Sequence, residues 1–248
     1  MECRWRWGPG AVGRCVLDSA EGGRLHLDGD AKKVMLKRLI ALFTGAAAMA
    51  QEGPDLSKPI KPDAALIYPY VVPQEYLAQG AAQPDGMTRA LGHGLHIALV
   101  HDLNGMVRNV LPEDLESLGL SAEQAQKRAD QNLGSLITTG KVGSTVFPKG
   151  PGGRPFALFG GHWAAATSIT WTGLYEAMKR ALGTEELLVC IPHRDAMLVF
   201  PMGPDDYLEA VKAMVREKES DGRKPLTMEL FTLGKDGLKP LNKKTDKR

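Results

Sequence analysis

The chain has 248 residues, 43% of them hydrophobic and 24% charged, with a formal net charge of +2. That length allows one sizeable core or two small domains of ordinary soluble composition. The charge is too small to point to nucleic acid. Three cysteines without a CxxC pair argue against a structural zinc site and fit a reducing compartment.

Residues 1–23 are rich in Gly, Arg and Trp with no clean period, and read as a poorly ordered or edge arm. Residues 24–63 read as a helix followed by a proline-rich linker. Asp30 suits an N-cap, and Val34, Leu36, Leu39, Ile40, Leu42 and Phe43 follow it. The same segment has a second reading. From Met35, two basic residues, a short apolar run and Ala48-Met49-Ala50 have the layout of a secretory signal ending at Ala50. The strand-like GRLHLDG before it favours the helix, and with it a cytoplasmic protein; export is the alternative. The apolar run is shorter than a membrane span requires, so no membrane partner is expected.

The main folded unit is expected over 64–241. AALIYPYVV reads as an extended segment that Pro69 confines to a sheet edge or bulge. LHIALVHDL, Asn104-Gly105 and MVRNVL form a β-hairpin over 95–111, with the residue pair that suits a type I′ turn. A short helix from Leu111 ends at Gly119. Ser121 opens the next helix, with Gln124 completing a capping box. Ala122, Ala125, Ala129, Leu133 and Leu136 fall on one face of that helix. KGPGGRP is a loop and PFALFGG a strand. A helix from Ser168 to Gly183 carries the stripe Trp171, Leu174, Tyr175, Met178, Leu182. ELLVCIPHRDAMLVF gives two strands around a polar tetrad, and Cys190 within them reads as a small buried hydrophobe. PDDYLEAVKAMVREKES is a helix with Asp205 and Asp206 at its positive end. LTMELFTL and LKPL close the fold around Gly234–Gly237, before a basic tail at 242–248. The expected class is α+β: an antiparallel or mixed sheet built from hairpins, with three or four packed helices.

His93, His96, His101 and Asp102 lie close in sequence but do not converge. In a strand His96 and His101 face opposite ways, and Asp102 lies about 20 Å along from His96. No metal site is expected, and nothing implies a cofactor. GPGAVG and GPGGRP lack the Gly-Lys-Ser/Thr ending of a phosphate loop. Gly160-Gly161 precedes a helix start, where backbone N–H groups could hold an anion; a tight strand-to-helix connection is the preferred reading.

The tetrad is Pro192-His193-Arg194-Asp195. Its HRD matches the kinase catalytic loop, yet the residue five after the Asp is Phe200 rather than Asn, and no other kinase element is present. It reads as a proline-led four-residue turn. Arg194 can pair with a carboxylate or ligand anion, or with Asp195 itself. His193 can titrate near neutrality.

LIYPYV, the stretch from His101 to Leu136, LLVCIPHRDAMLVF and PLTMELFTLGKDGLKPL resemble, in order and character, the bacterial YtpQ-like family, a domain of unknown function. The resemblance covers about Leu66 to Leu241. It is strongest at Ile67-Tyr68-Pro69, Asn132-Leu133 and Pro192 to Asp195. Family members tend to carry a Gly-x-Asp-Ala-Ser-like segment where this chain has His162 to Ser168, and only Ser168 matches. The resemblance implies no reaction. Two readings follow. One is a non-catalytic binding protein that holds a protein or small anionic ligand, with His193, Arg194, Asp195, Asp102, Asn132 and Ser168 as candidate residues. The other is a hydrolase-like enzyme using Asp102, His193, Arg194 and Asp195.

Overall fold

The computed structural model describes residues 4–7, 13–16, 61–78, 87–103, 106–219 and 224–241. The expected helix and signal alternative at 30–50, the linker to residue 60, the Asn104-Gly105 turn and the basic tail lie outside them. Among the described residues the fold is α+β, with antiparallel sheets throughout and five α-helices. No helix there is long and apolar enough to cross a membrane.

The near-terminal strands β1 (Arg4–Trp7) and β2 (Gly13–Val16) pair with each other. A smaller sheet follows, built on β5 (Leu95–Leu103). Strand β3 (Ile67–Pro73) lies along one edge of β5. Strands β4 (Arg89–Gly92) and β6 (Met106–Asn109) share the other edge, one at each end. Between β3 and β4 comes the short helix α1 (Gln74–Ala78). The 95–111 hairpin and the edge position of Pro69 are therefore present as expected. The β4–β5 hairpin is an addition. Its turn, His93-Gly94, has positive φ at both residues (51° and 72°), as a I′-type connection demands. Histidine is among the residues that enter this region most readily.

Helix α2 (Pro112–Leu118) starts with Pro at a position whose N–H would be unused and ends at Gly119, φ 64°. Helix α3 (Ala122–Thr138) opens with the expected capping box: Gln124 N–H donates to Ser121 Oγ, and Ser121 N–H to Gln124 Oε1. It buries Ala125, Ala129, Leu133, Leu136 and Ile137. Ile67, Leu99, Val110 and Leu115 pack with Ala125 and Ala129 as one core cluster.

The larger sheet has six strands in the order β12-β11-β9-β10-β8-β7. They are β7 (Gly143–Phe147), β8 (Phe156–Gly160), β9 (Leu187–His193), β10 (Ala196–Pro201), β11 (Phe231–Gly234) and β12 (Gly237–Pro240). Every residue of β9 and β10 is buried. Two covered faces explain why they read as continuous apolar runs instead of alternating ones. On one face Leu188, Cys190, Leu198 and Phe200 meet Tyr207, Val211 and Val215 of α5 (Asp205–Glu219). On the other, Leu187, Val189, Ile191, Met197 and Val199 join a core shared with α4 (Leu174–Leu182) and the smaller sheet.

Two expectations change. The helix expected from Ser168 begins only at Leu174; Ala166–Thr170 is a 3₁₀ turn, and Trp171 (φ −66°, ψ 123°) is extended. The Trp171 ring folds over Gly173, where a Cβ would lie 2.5 Å from Cζ2. A continuous helix would abolish that packing. The Gly160-Gly161 segment therefore leads into a five-residue 3₁₀ turn, so the helix end proposed to hold an anion is absent there. Strand β7 forms despite a Gly-Ser-Thr start that does not predict a strand.

Candidate functional site

The tetrad turn is tighter than expected. His193 is the last residue of β9 and pairs with Ala196, so only Arg194 and Asp195 form the loop. Leu198 pairs with Cys190, which sets Ile191 and Pro192 together against Met197: a β-bulge. Pro192 thus sits in the bulge, where its missing N–H is tolerated, and does not lead the turn. The turn is held from both sides. Arg194 N–H donates to Lys224 O at 3.2 Å, and Ala166 N–H donates to Arg194 O at 3.1 Å.

The side chains engage each other. Arg194 Nε donates to Asp195 Oδ1 at 2.8 Å. The Tyr70 hydroxyl lies close enough to the guanidinium to favour its charged form. Burial works against the Arg194 cation, but Asp195 and Tyr70 more than offset it and raise its pKa. Tyr70 is pushed up by burial, with Arg194 opposing. His193 is buried, and its Nδ1 accepts from Asp195 N–H at 3.1 Å. That bond puts the ring proton of neutral His193 on Nε2.

Asp102, from the far end of β5, reaches this region through an aromatic bridge. Trp163 Nε1 donates to Asp102 Oδ2 at 3.3 Å. The Trp163 ring meets Tyr68 and Tyr70 edge-on, at centroid distances of 5.6 and 5.8 Å. Tyr68 and Tyr70 share a face of β3 because side chains alternate along a strand. His162, tilted against Trp163, lies within electrostatic reach of both Asp102 and Asp195. Burial pushes its pKa down; the two carboxylates oppose this and Lys141 adds to it. The cluster therefore joins the two sheets, with two carboxylates, one guanidinium and three aromatic rings in sequence across the junction.

The other two candidates serve the frame. Asn132 Nδ2 donates to Ala64 O (2.9 Å) and Ile67 O (2.8 Å), fastening α3 to the start of β3. Ser168 is fully buried, and its hydroxyl donates to Ala164 O at 3.2 Å. The histidines separate as strand geometry requires. His93 Nε2 donates to Leu230 O at 2.9 Å, and the His93 ring meets Phe231 edge-on. His101 is buried beside Asp114, 3.7 Å from Oδ2. Tyr68, Tyr70, His162 and Trp163 join the site without a local motif that marks them. The visible signal was aromatic and polar residues at two places flanking predicted strands, which becomes a cluster only once the sheets dock.

No family model matches the chain, and no curated protein or solved structure matches it.

Proposed function

We propose that the protein is a non-catalytic binding protein that engages a protein or small anionic partner through the Arg194-Asp195 turn. Membership of the YtpQ-like family and a cytoplasmic setting belong to the same reading. They rest on the segments quoted above and on the absence of a disulfide framework in the sequence.

One observation carries the reading: two charged side chains that remain partly exposed (22% and 40%) project from a loop whose backbone is pinned by Lys224 and Ala166. A charged pair held in place before binding loses little conformational freedom when a partner arrives. A partner carboxylate or phosphate would compete with Asp195 for the guanidinium. The hydrolytic reading has weaker support. Of its four residues, Asp102 accepts from Trp163, Arg194 and Asp195 are bonded to each other, and His193 Nδ1 already accepts from the turn backbone. An activated nucleophile needs a base free to take its proton.

The test compares partners captured by wild type and by Arg194→Ala/Asp195→Ala, with melting curves to confirm both are folded. The reading predicts that specific partners or anion-induced stabilisation disappear in the variant. Identical partner sets and identical anion responses would remove the turn as the contact site.

A further inference from the structure

The two sheets also meet at the opposite end of β9. Leu233 of β11 pairs with Leu187, the first residue of β9, whereas the tetrad turn follows the last. Six residue steps at about 3.3 Å each separate these ends by roughly 20 Å. A cleft of about 470 Å³ opens there, between β4, the segment around Ile169–Glu176 and the β11–β12 turn. That volume falls in the range of small-molecule sites, about 300–1,000 Å³.

The lining has a definite chemistry. Ile97, Ile169 and Leu233 are part of it and are almost fully buried, at 4%, 4% and 5% exposure. Trp171 and Tyr175, half-buried, contribute aromatic surface. Two exposed cations are present, Arg89 from β4 and Lys235 from the β11–β12 turn. Neither forms an ion pair within 4.0 Å among the described residues, and Arg89 also lies within electrostatic reach of Asp130 outside the lining. Glu176 is the single acid of the lining. With two cations to one anion, and aromatic beside aliphatic walls, the cleft suits a molecule with a flat apolar body and a negative head. A cationic ligand would meet Glu176 favourably but two like charges unfavourably.

We propose that this cleft binds a small amphipathic anion, an aromatic carboxylate or phosphate monoester. Its ring packs against Trp171 and Tyr175, and its anionic group lies between Arg89 and Lys235. This site is independent of the tetrad turn.

The test titrates the full chain with 1-naphthoate and 1-naphthyl phosphate, following tryptophan fluorescence and calorimetric heat. 1-Naphthalenemethanol and 1-naphthylmethylamine serve as neutral and cationic controls of the same shape. Saturable binding of at least one anion is expected, tenfold or more tighter than either control and weakened by added salt. Comparison of the two anions identifies the preferred head group. Arg89→Gln/Lys235→Gln alters only exposed side chains, so its melting temperature should match wild type while affinity falls tenfold or more. Trp171→Leu should weaken the naphthyl ligands, and Arg194→Ala should leave them unchanged. Absence of saturation by both anions at millimolar concentration would overturn the proposal. So would equal binding of the neutral control, or unaltered affinity in a folded double variant. Should the double variant not fold, salt-independent binding to wild type would serve equally to reject it.

Discussion

The Thr167 hydroxyl accepts a hydrogen bond from Val71 N–H at 3.3 Å, and this contact closes the outer edge of β3. In an antiparallel strand a residue's N–H and C=O point to the same side. Val71 therefore marks the side of β3 turned away from β5, along with Ile67, Pro69 and Pro73. Part of that row is accounted for. Asn132 donates to the Ile67 carbonyl, the two prolines have no N–H to expose, and Thr167 takes the Val71 donor. An edge strand with unpaired groups invites pairing with another chain. Here the 3₁₀ turn and α3 occupy that edge. The same turn carries Ala166, which holds Arg194, so edge protection and the candidate site share one short segment.

Thr167→Val keeps the shape and removes the acceptor. Thr167 and Val71 are buried at 1% and 3% exposure, so the Val71 N–H is left without water or partner. Such an orphan costs about 1–3 kcal/mol. Urea unfolding should show that loss with an unchanged slope, and Thr167→Ser should recover most of it. A Thr167→Val protein as stable as wild type would mean that the edge does not need this bond.

Asn132→Asp replaces a donor of two bonds with an acceptor facing two carbonyl oxygens. Loss of both bonds and the new repulsion should cost more than Asn132→Ala, which is expected to lose roughly 2 kcal/mol for two orphaned carbonyls. Denaturant midpoints for the pair decide it: the Asp variant should be the less stable at neutral pH. The reverse order would contradict the geometry.

Much of this frame can be read from residue patterns, because the relevant signals are local. Capping box, Gly119 and Gly183 act within a turn of their helices, and the alternation in LHIALVHDL acts within one strand. The errors arise where distant packing overrides local preference. The Trp171 stripe looks helical, yet the ring finds its place over Gly173 and the helix starts later. Pro192 looks like a turn leader, but the register against β10 places it in a bulge. β4 and β7 are short and glycine-containing, and they exist because β5 and β8 offer edges to them. The site depends on Tyr70, Trp163 and Arg194 meeting across two sheets, which no local pattern encodes.

Acid should weaken the fold well above the carboxylate range. Burial lowers the His101 pKa below its ordinary value, with Asp114 and Asp63 opposing and Arg108 assisting. His162 is lowered by burial too. The unfolded chain takes up protons at about pH 6.5, the folded histidines only at lower pH. Below that value the unfolded state binds more protons, so stability is complete above about pH 6.5 and falls on acidification. Asp114 adds a later loss: burial resists its charge, but the bonds from Arg108 and Leu111 N–H prevail and depress its pKa. Its contribution disappears only as pH falls through that lowered value. Urea midpoints at about pH 7.5 and 5.5 should differ for wild type, and less for His101→Gln/His162→Gln. An identical pH dependence in the double variant would show that other groups set it.

Stability and binding should separate at the tetrad turn. The Arg194–Asp195 pair is short, at 2.8 Å, but both side chains are partly exposed. Ion pairs in that setting contribute about 0–1 kcal/mol, since water solvates the separated charges nearly as well. A double-mutant cycle of Arg194→Gln and Asp195→Asn should therefore give a coupling below about 1 kcal/mol by urea unfolding. Arg194→Gln alone should cost more than Asp195→Asn, because it also removes the cation beside the Tyr70 hydroxyl. If the turn is a contact surface, the same substitutions will abolish partner capture despite this mild effect on folding. A coupling of several kcal/mol would instead make the pair a structural clasp. The conjunction of histidine, arginine and aspartate would then be explained by folding, with no partner needed.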